Sequence, residues 1–287
     1  MSDIEQSPES EDVEQSPAAA EQAETAADAV LGDTSADPSD VAVPPTAEAV
    51  ADAIDAVAGT DEDADEVADV AMPASWNIAP TQQVPVVVDR LSKTDPDGVP
   101  PSRLVTSARW SLVPRWATEL TSKYPTFNAR SETVSEKSTF KGALVRSRAV
   151  LPADGYYEWH TVTGADGKPV KTPHYIHDPV EGELSFAGLY SWWRPPVADG
   201  QEPVPWMLTA TILTRAASGP AASIHDRAPV MLPRELVDEW LDPTVEGDQA
   251  LVDAMVAESE AVLERLELHP VAPLRGDGPH LIEPLAR

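Results

Sequence analysis

The sequence predicts an α+β protein dominated by β-strands, in one domain of roughly 210–240 residues behind an acidic extension. Three observations carry this. Five apolar, β-branched and aromatic segments, each bounded by Pro, Gly or Asp, crowd the region after Trp76. Few segments there repeat apolar residues at helical spacing. Residues 1–70, by contrast, hold 21 Asp and Glu and no Lys or Arg.

The strand segments are VPVVVDR (84–90), RLVTSARWSLVP (103–114), RAVLPADGYYEW (148–159), LSFAGLYSWW (184–193) and WMLTATILT (206–214). Helices are expected near 115–122, near 137–146 and at PRELVDEWL (233–241), which starts after Pro233. The tail at 262–285 reads as one more short strand and an extended end. Residues 1 to about 42 are mostly Ala, Glu, Asp, Ser and Pro, too poor in large apolar groups to offset chain entropy, so disorder is expected. Around 46–58, Val50, Ile54 and Val57 share one helical face between Thr46 and Gly59. The domain boundaries are therefore a disordered acidic extension over 1–45 and a folded domain over 46–287. No internal repeat is found.

Composition narrows the function. The net charge of −29 argues against nucleic-acid binding if taken as an average. The acidic extension distorts that average, because residues 71–287 carry 28 acids against 20 bases, a net of −8. With no cysteine, disulfides, thiolate metal ligands and Cys nucleophiles are excluded. No stretch approaches the roughly 20 apolar residues of a membrane span. The acidic start resembles neither a signal nor a transit peptide. A soluble, cytoplasmic monomer without membrane contact is expected.

Three polar segments stand out against the strands: FNARSET (127–133), PADGYYEWH (152–160) and SIHDRAP (223–229). On a strand Tyr157 and Trp159 share one face and Glu158 takes the other. Aromatic surroundings desolvate a carboxyl and suit it to general acid work, although Glu158 reads equally as a surface residue of an amphipathic strand. His225, between Ile224 and Asp226-Arg227, can exchange protons near neutrality or serve as a structural hydrogen-bonder. Asn128 and Arg130 flank Ala129 and face one side of an extended segment, where a guanidinium fits phosphate or a salt bridge. His174 and His177 at i, i+3 lack a third ligand at metal spacing, and no metal or cofactor is expected. His160, His269 and His280 have no comparable setting. Trp110, Trp116, Trp159, Trp192, Trp193 and Trp206 supply core, or platforms on which single-stranded nucleic acid stacks. There is no Gly-rich phosphate loop.

Taken in order, WNIAPTQQVPVV (76–87), ARWSLVPRWA (108–117), FNARSETVSEK (127–137), LPADGYYEW (151–159), LSFAGLY (184–190), TILTRAA (211–217), IHDRAPVML (224–232) and DGPHLIEP (277–284) resemble the SOS response-associated peptidase (SRAP) family of abasic site processing proteins. The resemblance covers about 72–285. It implies a β-rich pseudo-barrel with a groove for single-stranded DNA and abasic-site DNA, acting in the DNA damage and SOS response, and nucleoid-associated when bound. In that family an N-terminal Cys attacks the ring-opened sugar and cross-links protein to DNA, and the same Cys is credited with autoproteolysis. By the same matching, Asn128 positions the sugar, Glu158 handles protons and His225 assists them. Arg130 and Arg227 hold phosphates, Trp110 and Trp159 stack near the lesion, and Asn77, Pro80 and Thr214 line the groove.

The chain departs from the family at the nucleophile. It begins Met-Ser-Asp-Ile, where the family begins Met-Cys-Gly-Arg. The strand that carries the family's Cys is replaced by something like SDVAV (39–43). Three functional expectations follow: an enzyme of altered hydrolase, protease or lyase chemistry, a binding module without reaction, or a regulator whose acidic leader mimics nucleic acid.

Overall fold

The computed structural model describes residues 41–43, 72–91, 100–197 and 205–286. The disorder expected over 1–42, the helix expected at 46–58 and the acidic run at 61–66 lie outside the described residues, apart from the strand at 41–43. In chain order the elements are β1 (Val41–Val43), β2 (Gln83–Arg90), β3 (Ser102–Trp110), β4 (Asn128–Arg130), α1 (Lys141–Arg146), β5 (Arg148–Ala153), β6 (Gly155–Thr163) and β7 (Pro169–His177). Then follow β8 (Leu184–Trp193), β9 (Met207–Ala216), β10 (Arg227–Pro229), α2 (Val237–Leu241), α3 (Gln249–Arg265) and β11 (Glu267–Pro270). Single 3₁₀ turns occur at Ser131–Thr133, Gly219–Ser223, Arg234–Leu236 and Pro279–Ile282.

The expected α+β, mostly β architecture is present. β9, β3, β2, β5 and β8 form a closed ring of pairings, because β8 pairs back onto β9. β9 organises this pseudo-barrel. One of its edges takes β3 at Thr209–Ala210 and then β4 at Ile212–Thr214. The other takes β8 up to Ile212 and then β10 from Thr214 to Ala216. Val84, Val86, Val87 and Val88 of β2 are all buried, as expected of a strand covered on both faces. Val87, Val105 and Val150 pack with Val237, Trp240, Val252 and Met255 of the helices. Each such apolar side chain contributes about 1.5–3 kcal/mol on full burial.

Several expectations are corrected. The segment 148–159 is two strands in different sheets: β5 lies in the ring, while β6 joins β1, β7 and β11. The chain turns at Asp154-Gly155, where a Cβ on Gly155 would sit 2.5 Å from the Ile176 carbonyl oxygen. β7 was not anticipated, although Gly164 and Gly167 close its hairpin with β6. The helix expected at 115–122 is a loop. Its Ala117 carbonyl accepts the Trp193 indole N–H at 2.8 Å, which removes an acceptor a helix would use. The longest helix among the described residues, α3, was not anticipated. Asp248 caps it, accepting from the Leu251 amide at 2.9 Å. The short strand at 39–43 exists as β1, paired antiparallel to Gly155–Tyr157 of β6. No helix among the described residues is long and apolar enough to cross a membrane.

Two cations hold the helices. Arg148 is buried and donates to the carbonyls of Leu144, Val145, Trp240, Asp242 and Val245. Arg265 of α3 pairs at 2.7 Å with the fully buried Asp178 carboxylate, which also accepts the Val180 and Glu181 amides.

The second sheet carries a histidine cluster. His177 stacks on Tyr175 at 5.3 Å, and His269 of β11 meets both edgewise. His160 meets His174 at 5.8 Å. Burial holds His174 and His177 below the ordinary 6.5, aided by His160 and His269 for the first and His269 for the second, while Glu267 and Asp178 oppose the shift at His177. A histidine whose folded pKa is depressed stabilises the fold fully above 6.5 and loses that contribution as pH falls through the lower folded value. We therefore expect the melting temperature to drop between pH 7 and pH 5, and to drop less in His177→Gln. An equal drop in wild type and variant would assign the effect elsewhere.

Candidate functional site

The site lies where β4, β6, β10 and the C-terminal end of β9 converge. Glu158 is 7 % exposed in β6, with Tyr156 on its face and Tyr157 and Trp159 on the other. Tyr157 and Trp159 join a cluster with Trp76, Tyr175, Val271 and Leu281. The Tyr157 hydroxyl donates to the Trp76 carbonyl at 2.9 Å, which fixes the segment entering the site. Burial pushes the Tyr157 hydroxyl upward, helped by the Asp277 charge, so it is a standing donor.

His225 follows the 3₁₀ turn Gly219–Ser223. Gly219 has φ 56° and a Cβ there would lie 2.6 Å from the Leu263 carbonyl oxygen, so only glycine lets this loop settle on α3. His225 Nδ1 stands 3.9 Å from Glu158 Oε1 and 3.3 Å from Asp226 Oδ1. The same nitrogen lies 3.1 Å from the Arg227 amide nitrogen and 3.4 Å from the Arg227 carbonyl oxygen. The fold thus brings together two residues 67 positions apart, Glu158 and His225, as a carboxylate–imidazole pair.

Arg227 takes partners within the protein. Its guanidinium grips Glu132 in a bidentate pair at 2.7 and 2.9 Å and donates to the Thr214 carbonyl at 2.8 Å. The hydrogen bond from Arg227 holds the Glu132 carboxyl below its usual range. Both terminal nitrogens of Arg227 thus have protein partners, while its Nε has none among the described residues, and Thr214 is 8 % exposed. Glu132 was missed in the sequence, where only its place two residues after Arg130 hinted at it. Arg130 itself is exposed, and its backbone pairs in register with Thr214. Asn128, two residues earlier, is half-buried and pairs with Ile212.

Trp110 is buried. At 2 % exposure, with its indole N–H on the Phe127 carbonyl and its ring edge-on to Phe127, it has no free face for a base. It supports the start of β4 from within. Trp159 is half-buried and keeps an edge outward. Asn77 donates to the Gly276 carbonyl at 2.9 Å. Pro80 sits in the turn Ala79–Gln82, where Thr81 takes φ 78° and its amide donates to the Trp110 carbonyl at 2.7 Å. A non-glycine residue held there costs about 1–3 kcal/mol, and such strain gathers at functional sites.

The fold is a strand barrel with a carboxylate–imidazole pair at one end and exposed Arg130 on β4. The chain belongs to the SOS response associated peptidase (SRAP) family, whose model matches residues 42–275. It is 36 % identical over 169 residues to the abasic site processing protein YoqW of Bacillus subtilis, covering 59 % of this chain and 67 % of that protein. It is 31 % identical over 242 residues to the abasic site processing protein HMCES of Gallus gallus, covering 74 % of this chain and 66 % of that one. The chain thus spans about two-thirds of these relatives. Among solved structures, the fold resembles a Bacteroides thetaiotaomicron protein (TM-score 0.59, 22 % identity, 85 % of this chain and 99 % of that one). It also resembles a phage-related protein of Bordetella bronchiseptica (TM-score 0.56, 26 % identity, 82 % and 94 %).

Proposed function

We propose that this protein recognises abasic sites in single-stranded DNA, promotes opening of the sugar to its aldehyde, and holds the product without a thiol-dependent cross-link. The observation that carries the reading is the Glu158–His225 pair, 3.9 Å apart, in a chain of the SRAP family that exposes Arg130 on β4. An abasic deoxyribose is a cyclic hemiacetal. Opening it needs a base for the C1 hydroxyl and an acid for the ring oxygen.

The Glu158 carboxylate takes the hydroxyl proton as the C1–O4 bond breaks, and the imidazolium form of His225 gives a proton to the departing ring oxygen. The carbonyl forms at C1, leaving Glu158 protonated and His225 neutral. Transfer between them, directly or through one water, restores the starting state. Asn128 orients the sugar and Arg130 takes the flanking phosphate. Trp159 and the Asn77–Pro80 segment wall the approach, and the Glu132 pair keeps Arg227 fixed behind His225. The 287 residues contain no cysteine, so no thiazolidine forms.

The test combines binding and trapping. Arg130→Ala is expected to weaken binding to abasic single-stranded DNA and to lower the salt slope by about 0.7, the value for one phosphate contact on a single strand. Borohydride added to the bound DNA is expected to leave no protein–DNA adduct. An unchanged affinity and slope would remove Arg130 from the interface, and a trapped adduct would replace the non-covalent reading with imine chemistry.

A further inference from the structure

Two arms of the site stand on opposite edges of β9. β4 pairs with Ile212–Thr214 on one edge, and β10 with Thr214–Ala216 on the other. Asn128 and Arg130 ride on the first strand, and His225 precedes the second. Thr214 is the shared row, opposite Arg130 on one side and Pro229 on the other. Among the described residues β4 and β10 do not pair with each other. β9 thus fixes the two backbones at Thr214, but Glu132 and His225 lie beyond that row, in segments that leave the sheet.

The Glu132–Arg227 pair spans these segments. Glu132 stands in the 3₁₀ turn Ser131–Thr133 that follows β4, and its carboxylate meets the Arg227 guanidinium at 2.7 and 2.9 Å. The same guanidinium donates to the Thr214 carbonyl at 2.8 Å, in the row that joins the arms. Each end of the pair is held in turn. Gln249, the first residue of α3, donates to the Ser131 carbonyl at 2.9 Å and accepts from the Ser135 hydroxyl at 2.7 Å, so it clamps the Glu132 turn on both sides. On the other arm the Ala217 amide donates to the Asp226 carbonyl at 2.8 Å, and His225 Nδ1 lies 3.1 Å from the Arg227 amide nitrogen. A hold on Arg227 is therefore a hold on the two residues before it.

Stability does not account for the pair. The Glu132 side chain is 50 % exposed and that of Arg227 21 %, and ion pairs open to water contribute little to folding. Geometry accounts for it better, because a bidentate guanidinium–carboxylate pair fixes orientation as well as distance. We propose that Glu132 is a positioning residue for proton transfer: through Arg227 it fixes the His225 segment against β4, and so sets the gap in which the sugar opens. The inference rests on the proposed sugar-opening reading of the pocket. Glu132 itself touches neither the sugar nor the protons in transit.

The experiment follows oxime formation on an abasic single strand, with the full chain in excess so that every sugar is bound. Glu132→Gln and Arg227→Lys are each expected to slow opening by about tenfold or more, since misplacing a reacting group by 1 Å can cost about 10²-fold. The double variant is expected to be no slower than the slower single one, because the two residues act as one unit. In Glu132→Gln, affinity for the strand is expected to be undiminished and the melting temperature to stay within about 4 °C of wild type. Hydrogen exchange at the Ala217 amide is expected to rise about tenfold in that variant, while the Tyr190 amide, bonded to the Ser147 carbonyl, is unchanged.

A wild-type opening rate in Glu132→Gln overturns the inference, as do additive losses in the double variant or slower opening with Ala217 exchange unchanged. Tighter strand binding in Glu132→Gln at the wild-type opening rate also overturns it, since Glu132 would then only compete for Arg227. The failure of the pocket reading looks different. If the wild-type protein yields oxime no faster than free DNA does, that reading falls, and exchange at Ala217 alone decides the latch: a rise keeps Glu132 as the hold on the His225 segment, and no change removes it.

Discussion

Replacing Arg148 by Leu is expected to lower the stability of the domain by about 3–5 kcal/mol, the range for removing one partner of a buried charged group. The reason is the number of acceptors left behind. Leu144 and Val145 offer carbonyls from the end of α1, and Trp240, Asp242 and Val245 offer theirs from α2 and the turn after it. Each buried carbonyl without a donor costs about 1–3 kcal/mol, and relaxation recovers only part of the sum. Burial also lowers the guanidinium's affinity for its proton, yet an arginine stays charged throughout the useful pH range.

In urea the midpoint should fall with little change in slope, because the surface exposed on unfolding is nearly the same. Arg148→Lys should recover only a fraction, since one ammonium cannot fork to five oxygens. Gly247→Ala should mimic the damage, because a Cβ there would lie 2.7 Å from Arg148 Nη1. If Arg148→Leu unfolds at the wild-type midpoint, the convergence of α1 and α2 on this side chain is not what holds them.

The second large effect is chemical. Glu158→Gln keeps the shape of the site and removes its base, so opening of a bound abasic sugar should slow by about 10²–10⁴-fold, the range for loss of a general base. Oxime formation with a hydroxylamine reagent reports the aldehyde as it appears. Affinity for the strand should change little, because Glu158 is buried, at 7 % exposure. Equal oxime rates for wild type, Glu158→Gln and free DNA would leave the pair without a catalytic task. His225→Asn should slow the same step, and the double variant should cost less than the sum, since the two residues act as one unit.

The strands most visible in the sequence were those whose burial is continuous. β2, β8 and β9 are apolar runs closed by turn residues, and both faces of each are covered. The split between β5 and β6 was not visible, because a change of sheet leaves no mark on apolar patterning; only Gly155 signals it. α3 escaped notice because a serine interrupts its buried face. Ser259 is fully buried and accepts the Met231 amide at 3.0 Å, so the apolar repeat of Val252, Met255, Val262 and Leu263 is broken at its centre.

In the site, local neighbours such as Asn128 and Arg130 or Glu158 and Trp159 were legible, since alternation on a strand fixes their faces. The pairing of Arg227 with Glu132 spans 95 positions and was not legible. Nor was the burial of Trp110, whose indole N–H donates to the Phe127 carbonyl.

The central claim is that the pocket around Glu158, His225 and Arg130 selects a missing base in a single strand. The most direct measurement is the affinity of the full chain for two single strands of equal length and sequence, one with a single abasic site and one intact, at one fixed salt concentration. Binding to the abasic strand is expected to be tighter by about tenfold or more, and Arg130→Ala to abolish the difference. Equal affinity for the two strands, or binding to neither, would contradict the claim.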